Sequence, residues 1–236
     1  MVRTVKLFVE GGGDSKPLRT ECRTAFNSFL QKAGLSGYMP RVVASGSRNA
    51  AYSDYCTAIK NGENAVLLVD SESEIITQKD NANSIPANKT IYNPWYHLTN
   101  RKTVTRELAD HWEKPAGASD DDCHLMVQSM ESWFLADIDA LKTYYGNEFN
   151  EKSLLNRKDI ESIPKKSVFA ALNVATQNTQ KGSYNKGKHS FDILSIIDSN
   201  KVCIQSPWAK RFVTLMTEKM MRLRDGKNEE VQHLSF

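Results

Sequence analysis

Acidic side chains follow two apolar segments of the chain, where they could form a site for a divalent cation. Glu10 lies between the run LFV and three glycines, in the segment VEGGGD. Asp70 and Glu72 follow the run AVLLV, in the segment LVDSE. Alternate residues of an extended chain face the same side, so Asp70 and Glu72 can converge on one hard cation, which prefers oxygen ligands. Each segment also fits a structural role, as an ordinary turn or as a polar strand end with a capping aspartate.

The glycine segment after Glu10 matches neither common phosphate-binding fingerprint. In a dinucleotide-binding motif the third glycine would fall at Lys16, and a P-loop requires a Gly-Lys-Ser/Thr sequence at a spacing that is absent here. The glycines are therefore interpreted as a sharp turn that leaves Glu10 facing a cleft.

A further carboxylate, Glu131, lies on the apolar side of a predicted helix. The segment HLMVQSMESWFLADIDAL predicts one helix over 125–141, on which Glu131 is flanked by Val127, Leu135 and Ile138. An ionised carboxylate in apolar surroundings costs several kcal/mol unless it is paired or binds a metal. We expect Glu131 to be a metal ligand or a catalytic group, with a buried salt bridge to an arginine as the alternative.

Basic residues are concentrated in the segment 157–189, which holds seven lysines and arginines against two acidic residues. Within it the segment YNKGKHS is predicted to be a loop, whose Lys186, Lys188 and His189 could bind a phosphate or transfer a proton. A basic stripe beside an acidic metal site suits a polyanionic substrate, although a solvated lysine-rich surface would show the same composition. The candidates for contact with a nucleic-acid backbone are Lys165, Lys166 and Lys181.

The elements that must position the first carboxylates are predicted from hydrophobic periodicity. Residues 4–70 give a β-α-β-α-β order, with strands at 4–10, 40–44 and 65–70 and helices at 17–32 and 49–60. Such an order implies a parallel sheet with right-handed crossovers, in which ligands bind at the carboxyl ends of the strands. Glu10 and Asp70 would then share one edge of the sheet.

The remaining chain is predicted to be less regular. Residues 73–120 are interpreted as an irregular insertion with a short helix near 103–112, and residues 206–224 as a final amphipathic helix followed by a frayed tail from Asp225. The predicted fold class is α/β, with a central, mostly parallel sheet flanked by helices and a helical C-terminal part. We divide the chain into a core at 1–142 and a basic, helical extension at 143–236 packed on that core.

Composition excludes several classes of protein. The chain has 236 residues, a net charge of +3 and four cysteines that form no C-x-x-C pair, which argues against a zinc site or a disulfide framework. No apolar run approaches the roughly 18 residues of a membrane span, and the first residues suggest a strand and not a signal peptide. A cytoplasmic protein with no membrane partner is expected.

Four segments, taken in order, resemble the Toprim superfamily. They are VEGGGDSKPLRTECR, LVDSE, GASDDDCHLMVQSMESWFLAD and YNKGKHSFDIL. More closely, the chain resembles a family of small prokaryotic Toprim-like proteins of unknown function that often accompany ABC-type ATPases. Toprim proteins use a strand-end Glu, matched by Glu10, and an acidic pair, matched by Asp70 and Glu72, where Glu replaces the usual second Asp. OLD-type Toprim nucleases add a helix-borne Glu and a Lys, which Glu131 and either Lys186 or Lys188 resemble.

The resemblance implies a Toprim-like fold and an Mg²⁺- or Mn²⁺-dependent nuclease, with Glu10, Asp70, Glu72 and Glu131 as ligands of two ions. It also implies an effector of bacterial anti-phage defence with an ABC-type ATPase as partner. Topoisomerase activity is not expected, because no tyrosine lies in the context of a nucleophilic domain. Two alternatives remain: a regulatory or non-catalytic binding subunit of an ATPase complex, and a metal-dependent phosphatase or nucleotide hydrolase. The choice among DNA, RNA and tRNA, and formation of a homo-oligomer, stay open.

Overall fold

An all-parallel sheet forms the centre of the protein. The structure is a computed structural model that describes residues 4–77, 92–101, 110, 112–154 and 159–233. Within these residues the sheet has four strands in the order β2-β1-β3-β4. The strands are β1 (Lys6–Val9), β2 (Arg41–Ala44), β3 (Ala65–Asp70) and β4 (Cys123–Met126). The α/β class predicted from sequence is confirmed.

Helices flank the sheet and make up the C-terminal part of the chain. The helices of the described residues are α1 (Lys16–Leu30), α2 (Arg48–Lys60), α3 (Pro94–Asn100), α4 (Met130–Phe134), α5 (Ile138–Tyr145), α6 (Lys165–Thr176), α7 (Lys186–Ile196), α8 (Ser199–Gln205) and α9 (Pro207–His233). None of them is both long and apolar enough to cross a membrane.

Local sequence signals explain where the first two helices begin. The Ser15 hydroxyl accepts a hydrogen bond from the backbone N–H of Leu18, and the Ser47 hydroxyl accepts one from that of Ala50. Each serine thereby satisfies one of the backbone donors left free at a helix N-terminus. A π-helical turn extends α1 to Leu35, and within that turn Gly34 has a φ of 96°, which ends the regular helix as predicted.

Two apolar layers cover the faces of the sheet. Alternation along β1 sends Leu7 and Val9 into a layer with α1, and Phe8 into a layer with α2. The α1 layer also contains Phe29 and Trp133, whose rings stack 4.9 Å apart with neither side chain exposed. Because both faces are covered, the central strand β3 contains an unbroken apolar run, AVLLV, as expected for a parallel sheet.

The single helix predicted over 125–141 is wrong. Residues Cys123–Met126 instead form β4, which pairs in parallel with β3 and is fully buried, and two short helices follow at α4 and α5. A short, continuous apolar run does not distinguish a buried strand from a buried helix by periodicity, and here pairing with β3 decides the outcome.

Other predicted elements differ from the structure in part. The YNKGKHS segment, predicted to be a loop, enters α7 at Lys186, and the final helix continues to His233, past the point where fraying was predicted. Helix α3 lies in the segment 73–120, where it was not predicted, whereas the helix predicted near 103–112 falls almost wholly outside the described residues. The domain boundary at residue 142 stays a prediction.

We predict that Gly12→Ala destabilises the fold more than Gly62→Ala. Both glycines have positive φ, 86° and 69°, where a side chain costs about 1–2 kcal/mol. A Cβ at Gly12 would also lie 2.8 Å from the Cα of Arg19, whereas a Cβ at Gly62 meets no described atom within 4 Å. Urea unfolding of both variants measures the difference, and equal losses would show that α1 does not press on the turn after β1.

Candidate metal centre

The site lies where the order of successive strands in the parallel sheet reverses. From β1 the chain crosses to β2 on one side, and β3 then pairs on the other side of β1. In open parallel sheets this switch point leaves a crevice at the carboxyl ends of the strands. Glu10 follows β1 and Asp70 ends β3, and the Asp70 backbone N–H donates a hydrogen bond to Glu10 Oε2 at 3.2 Å. The predicted placement of Glu10 and Asp70 at adjacent strand ends is confirmed.

Three carboxylates converge at this crevice. One carboxylate oxygen from each of Glu10, Asp70 and Glu72 lies within 4.8 Å of the other two. Hard cations bind oxygen ligands at about 2.0–2.6 Å, so one ion could contact all three. The convergence does not come from an extended chain, as the sequence suggested, because Glu72 has a φ of 67°. The left-handed backbone at Glu72 turns its side chain back toward Asp70.

Two lysines contact the same carboxylates. Lys165 Nζ lies 2.7 Å from Glu72 Oε1 and 3.4 Å from Asp70 Oδ2. Lys186 Nζ lies 3.5 Å from Asp70 Oδ2 and 3.6 Å from Glu131 Oε1. The Lys165 amine is thus paired within the acidic cluster, and its contact with a nucleic-acid backbone stays a prediction. For Lys186, a place at the site is confirmed.

Glu131 is buried beside the cluster and is not a member of it. Its side chain has no exposed surface, and its Oε1 accepts a hydrogen bond from the Tyr184 hydroxyl at 2.9 Å. Its Oε2 has no hydrogen-bond partner among the described residues. The burial predicted for Glu131 is confirmed, and its ion-pair partner is Lys186, where the alternative had named an arginine. Metal ligation by Glu131 stays a prediction, supported by the unpartnered oxygen.

Burial and mutual repulsion change the acidity of the groups in the site. Burial, followed by the negative charge of Asp70, raises the pKa of Glu10 to about 7, and the ammonium of Lys186 only partly opposes this. Burial alone would lower the pKa of Lys186, but the charges of Asp70, Glu131 and Glu10 outweigh it and raise that pKa. The site therefore carries excess negative charge that a divalent cation would relieve.

The other basic residues proposed for the site lie elsewhere. His189 is buried, and its Nδ1 lies 3.2 Å from both the Asn185 backbone nitrogen and the Tyr145 hydroxyl oxygen. Burial, with the nearby lysine charges, lowers its pKa. Lys188 and Lys166 are exposed, and the Lys181 amine lies over the Tyr144 ring. Among the described contacts none of these four side chains reaches a carboxylate of the cluster, so a direct catalytic role for His189 and Lys188 has no geometric support.

Two residues of the site had no assigned role in the sequence. Arg48 Nε donates to the carbonyl oxygen of Asp70 at 2.9 Å, while its guanidinium pairs with Asp110, so it holds the end of β3 in place. Tyr184 fixes Glu131 through its hydroxyl. The only sequence signal for Tyr184 is its position two residues before Lys186. No sequence feature near Arg48 indicates that this residue contacts Asp70.

A cavity of about 200 Å³ adjoins the carboxylates. The charged groups that line it are Glu10, Asp70 and Lys186. Apolar side chains and glycine backbone form much of the remaining wall, among them Leu18, Met126, Met130, Phe191 and Gly11–Gly13. A bound group could therefore contact both the acidic cluster and an apolar surface.

The fold and site define an α/β protein with an acidic cluster at the carboxyl edge of a parallel sheet. Residues 9–217 match the model of a family described as a domain of unknown function (DUF4276), and the chain belongs to that family. No curated protein matches the chain, and no solved structure matches it.

We predict that the metal-free protein loses stability relative to Glu10→Gln as the pH rises from about 4.5 to about 7. In the unfolded chain Glu10 ionises near its ordinary pKa of 4.5, whereas in the folded protein burial and Asp70 keep it protonated up to about 7. Between pH 4.5 and about 7 the folded protein thus binds more protons at Glu10 than the unfolded chain does. The free energy of unfolding therefore falls as the pH rises through this range.

Urea unfolding in EDTA, at half-unit pH steps, compares the wild type with Glu10→Gln. Subtracting the free energy of unfolding of Glu10→Gln from that of the wild type removes the contributions of the other titrating groups. A constant difference between pH 4.5 and 7 would contradict the predicted environment of Glu10.

Proposed function

We propose that this protein hydrolyses phosphodiester bonds of nucleic acid with the help of Mg²⁺ or Mn²⁺. The observation that carries the proposal is the convergence of Glu10, Asp70 and Glu72 at the switch point of the sheet, with a lysine amine beside them. Oxygen ligands at this density suit a hard cation, and an adjacent amine suits the charge of a phosphate. The resemblance to OLD-type Toprim nucleases supports the same reaction.

The proposed roles follow from the contacts of each side chain. Glu10, Asp70 and Glu72 would hold one ion, and Glu131 would offer its unpartnered Oε2 to a second. When bound, such ions supply a water of lowered pKa and positive charge opposite the leaving oxygen. Lys165 orients Glu72 by pairing with it.

Lys186 is the residue proposed to contact the substrate phosphate. Its side chain is 43 % exposed, and it lines the cavity while its amine remains 3.5 Å from Asp70. A metal ion on Asp70 would weaken that ion pair and free the amine to donate to a phosphate oxygen. The carboxylates keep Lys186 protonated by raising its pKa, so it would act as a charge and a donor and not as a base.

The wider biological role is proposed on the resemblance alone. An anti-phage effector with an ABC-type ATPase as partner would combine this hydrolytic site with a separate sensor. The test is reconstitution of nucleic-acid cleavage with and without any ABC-type ATPase encoded beside this protein. Equal cleavage with and without the ATPase would show that the ATPase does not regulate this nuclease.

A second candidate is a hydrolase of small phosphate esters, including nucleotides. The cavity beside Glu10 favours it, because about 200 Å³ with apolar walls suits a compact ligand more than an open groove does. A panel that pairs p-nitrophenyl phosphate and bis(p-nitrophenyl) phosphate with oligonucleotides separates the two candidates. Turnover of the small esters with no cleavage of oligonucleotides would favour this second function.

We predict that Asp70→Asn lowers metal-dependent cleavage by more than about 10²-fold, the scale of losing one electrostatic contact in the transition state. Asp54→Asn is the matched control, because Asp54 is exposed on α2 and forms no ion pair among the described residues. Initial rates on labelled DNA and RNA, with Mg²⁺, Mn²⁺ or EDTA, provide the measurement. Undiminished cleavage by Asp70→Asn, or cleavage that persists in EDTA, would contradict the proposed site.

We predict that Lys186→Met lowers the catalytic rate by about 10²–10³-fold, whereas Lys188→Met changes it little. Both lysines lie in the first turn of α7, but only the Lys186 amine approaches the carboxylates. Rates measured at saturating substrate report the catalytic rate without the contribution of substrate binding. Equal effects of the two variants would show that the lysines act only through general positive charge.

A further inference from the structure

A second basic surface lies at the free edge of the sheet. An open groove of about 520 Å³ runs along the N-terminal end and length of β2, the edge strand, and against α1. Three arginines line it: Arg19 and Arg23 from α1, and Arg41 from β2. The remaining lining residues are Asn27, Pro40 and Val42–Ala44, so no carboxylate lines the groove.

These arginines keep unused hydrogen-bond donors. Arg19 Nε donates to the carbonyl oxygen of Gly13 at 3.0 Å, and the Arg23 guanidinium donates to the Thr20 hydroxyl at 2.8 Å. Within the part of the chain that the structure describes, none of the three forms an ion pair. A guanidinium has five N–H donors, so most of their capacity remains available to a ligand.

Arg19 connects the groove to the candidate metal centre. Its Cα packs against Gly12, where a Cβ would approach to 2.8 Å, and its guanidinium approaches Gly46. Gly12 and Gly46 line the cavity that also contains Glu10 and Asp70. The basic groove and the acidic cluster are therefore neighbouring parts of one surface, joined at the turn after β1.

The charge of this surface indicates an anionic ligand that extends beyond the cavity. Arginine matches phosphate geometry through paired N–H donors, and a polynucleotide presents phosphates at regular intervals. A small phosphate ester held in the cavity would leave Arg23 and Arg41 without a partner. Lys165, by contrast, is already paired with two carboxylates of the cluster.

We propose that Arg19, Arg23 and Arg41 bind the phosphate backbone of a nucleic-acid strand that passes the carboxylate cluster. This inference rests on the proposed function and names the part of the surface that holds its substrate. It moves the backbone contacts from the segment 157–189 to the edge formed by α1 and β2.

The test measures binding without cleavage. Fluorescence anisotropy in EDTA gives the dissociation constants of labelled single-stranded and duplex DNA and RNA between 50 and roughly 200 mM salt, where phosphate contacts are strongly salt-dependent. The variants are Arg23→Gln, Arg41→Gln and the double variant, which leave the contact between Arg19 and Gly13 intact. Lys166→Gln removes an exposed charge from the segment 157–189 and is the matched control.

Each arginine that contacts a phosphate should reduce the slope of log affinity against log salt by about 0.7–0.9, and the double variant by about twice that amount. Lys166→Gln should leave the slope unchanged. The proposal would be overturned if the salt slope falls in Lys166→Gln and is unchanged in the double arginine variant. Poly-glutamate could instead compete with the labelled strand as well as unlabelled nucleic acid does, and only when the arginines are present. That result would also overturn the proposal and make the groove a site for acidic protein segments.

The outcome separates this inference from the proposed function. Arginine-dependent binding with no cleavage under any metal would support the groove and reject the nuclease. Metal-dependent cleavage with binding that ignores Arg23 and Arg41 would support the nuclease and reject the groove.

Discussion

Repulsion among carboxylates at one end of the sheet is the constraint on which this site depends. Glu10, Asp70 and Glu72 approach within 4.8 Å, with the buried Glu131 close by. Two like charges about 4 Å apart repel by about 4 kcal/mol at an effective dielectric constant of about 20, so the cluster requires compensating cations. In this structure Lys165 and Lys186 provide them, while burial, followed by the charge of Asp70, still raises the pKa of Glu10.

Much of the surrounding fold is organised by Asp70. Its backbone N–H holds Glu10, its carbonyl oxygen accepts from Arg48, and its Oδ1 accepts from the backbone N–H of Met130 at 2.8 Å. The last of these bonds fixes the start of α4, and α4 carries Glu131. One residue thus connects the ends of β1 and β3 with the helix that adds the fourth carboxylate.

The core of the sheet could be predicted because its signals are local. Glycines after Glu10, the apolar run before Asp70 and helical spacing between them give the order of elements and the shared edge for the two carboxylates. Glu72 was placed in the site for the wrong reason, since its φ of 67° depends on contacts that periodicity does not contain. β4 was missed because its apolar residues are buried on every side, which removes the pattern that separates strand from helix.

The partners of the carboxylates could not be predicted, because they come from distant parts of the chain. Lys165 is separated from Asp70 by 95 residues, and the lysine-rich segment around it offered several equivalent candidates. The packing of α6 against α4, and of α7 against α1 and α4, brings the amines of Lys165 and Lys186 to the carboxylates and leaves those of Lys166 and Lys188 away from them. The arginine groove was missed for the same reason, since Arg41 meets Arg19 and Arg23 only through β2 beside α1.

The most direct test of the central claim is anomalous diffraction from crystals of the protein soaked in Mn²⁺. We predict a peak about 2–2.5 Å from carboxylate oxygens of Glu10, Asp70 and Glu72, with the amines of Lys165 and Lys186 moved away from Asp70. Crystals of Asp70→Asn treated in the same way should lose that peak. No peak at these oxygens in the wild type, with both lysines still paired to the carboxylates, would show that the cluster is a structural ion-pair network and not a metal centre.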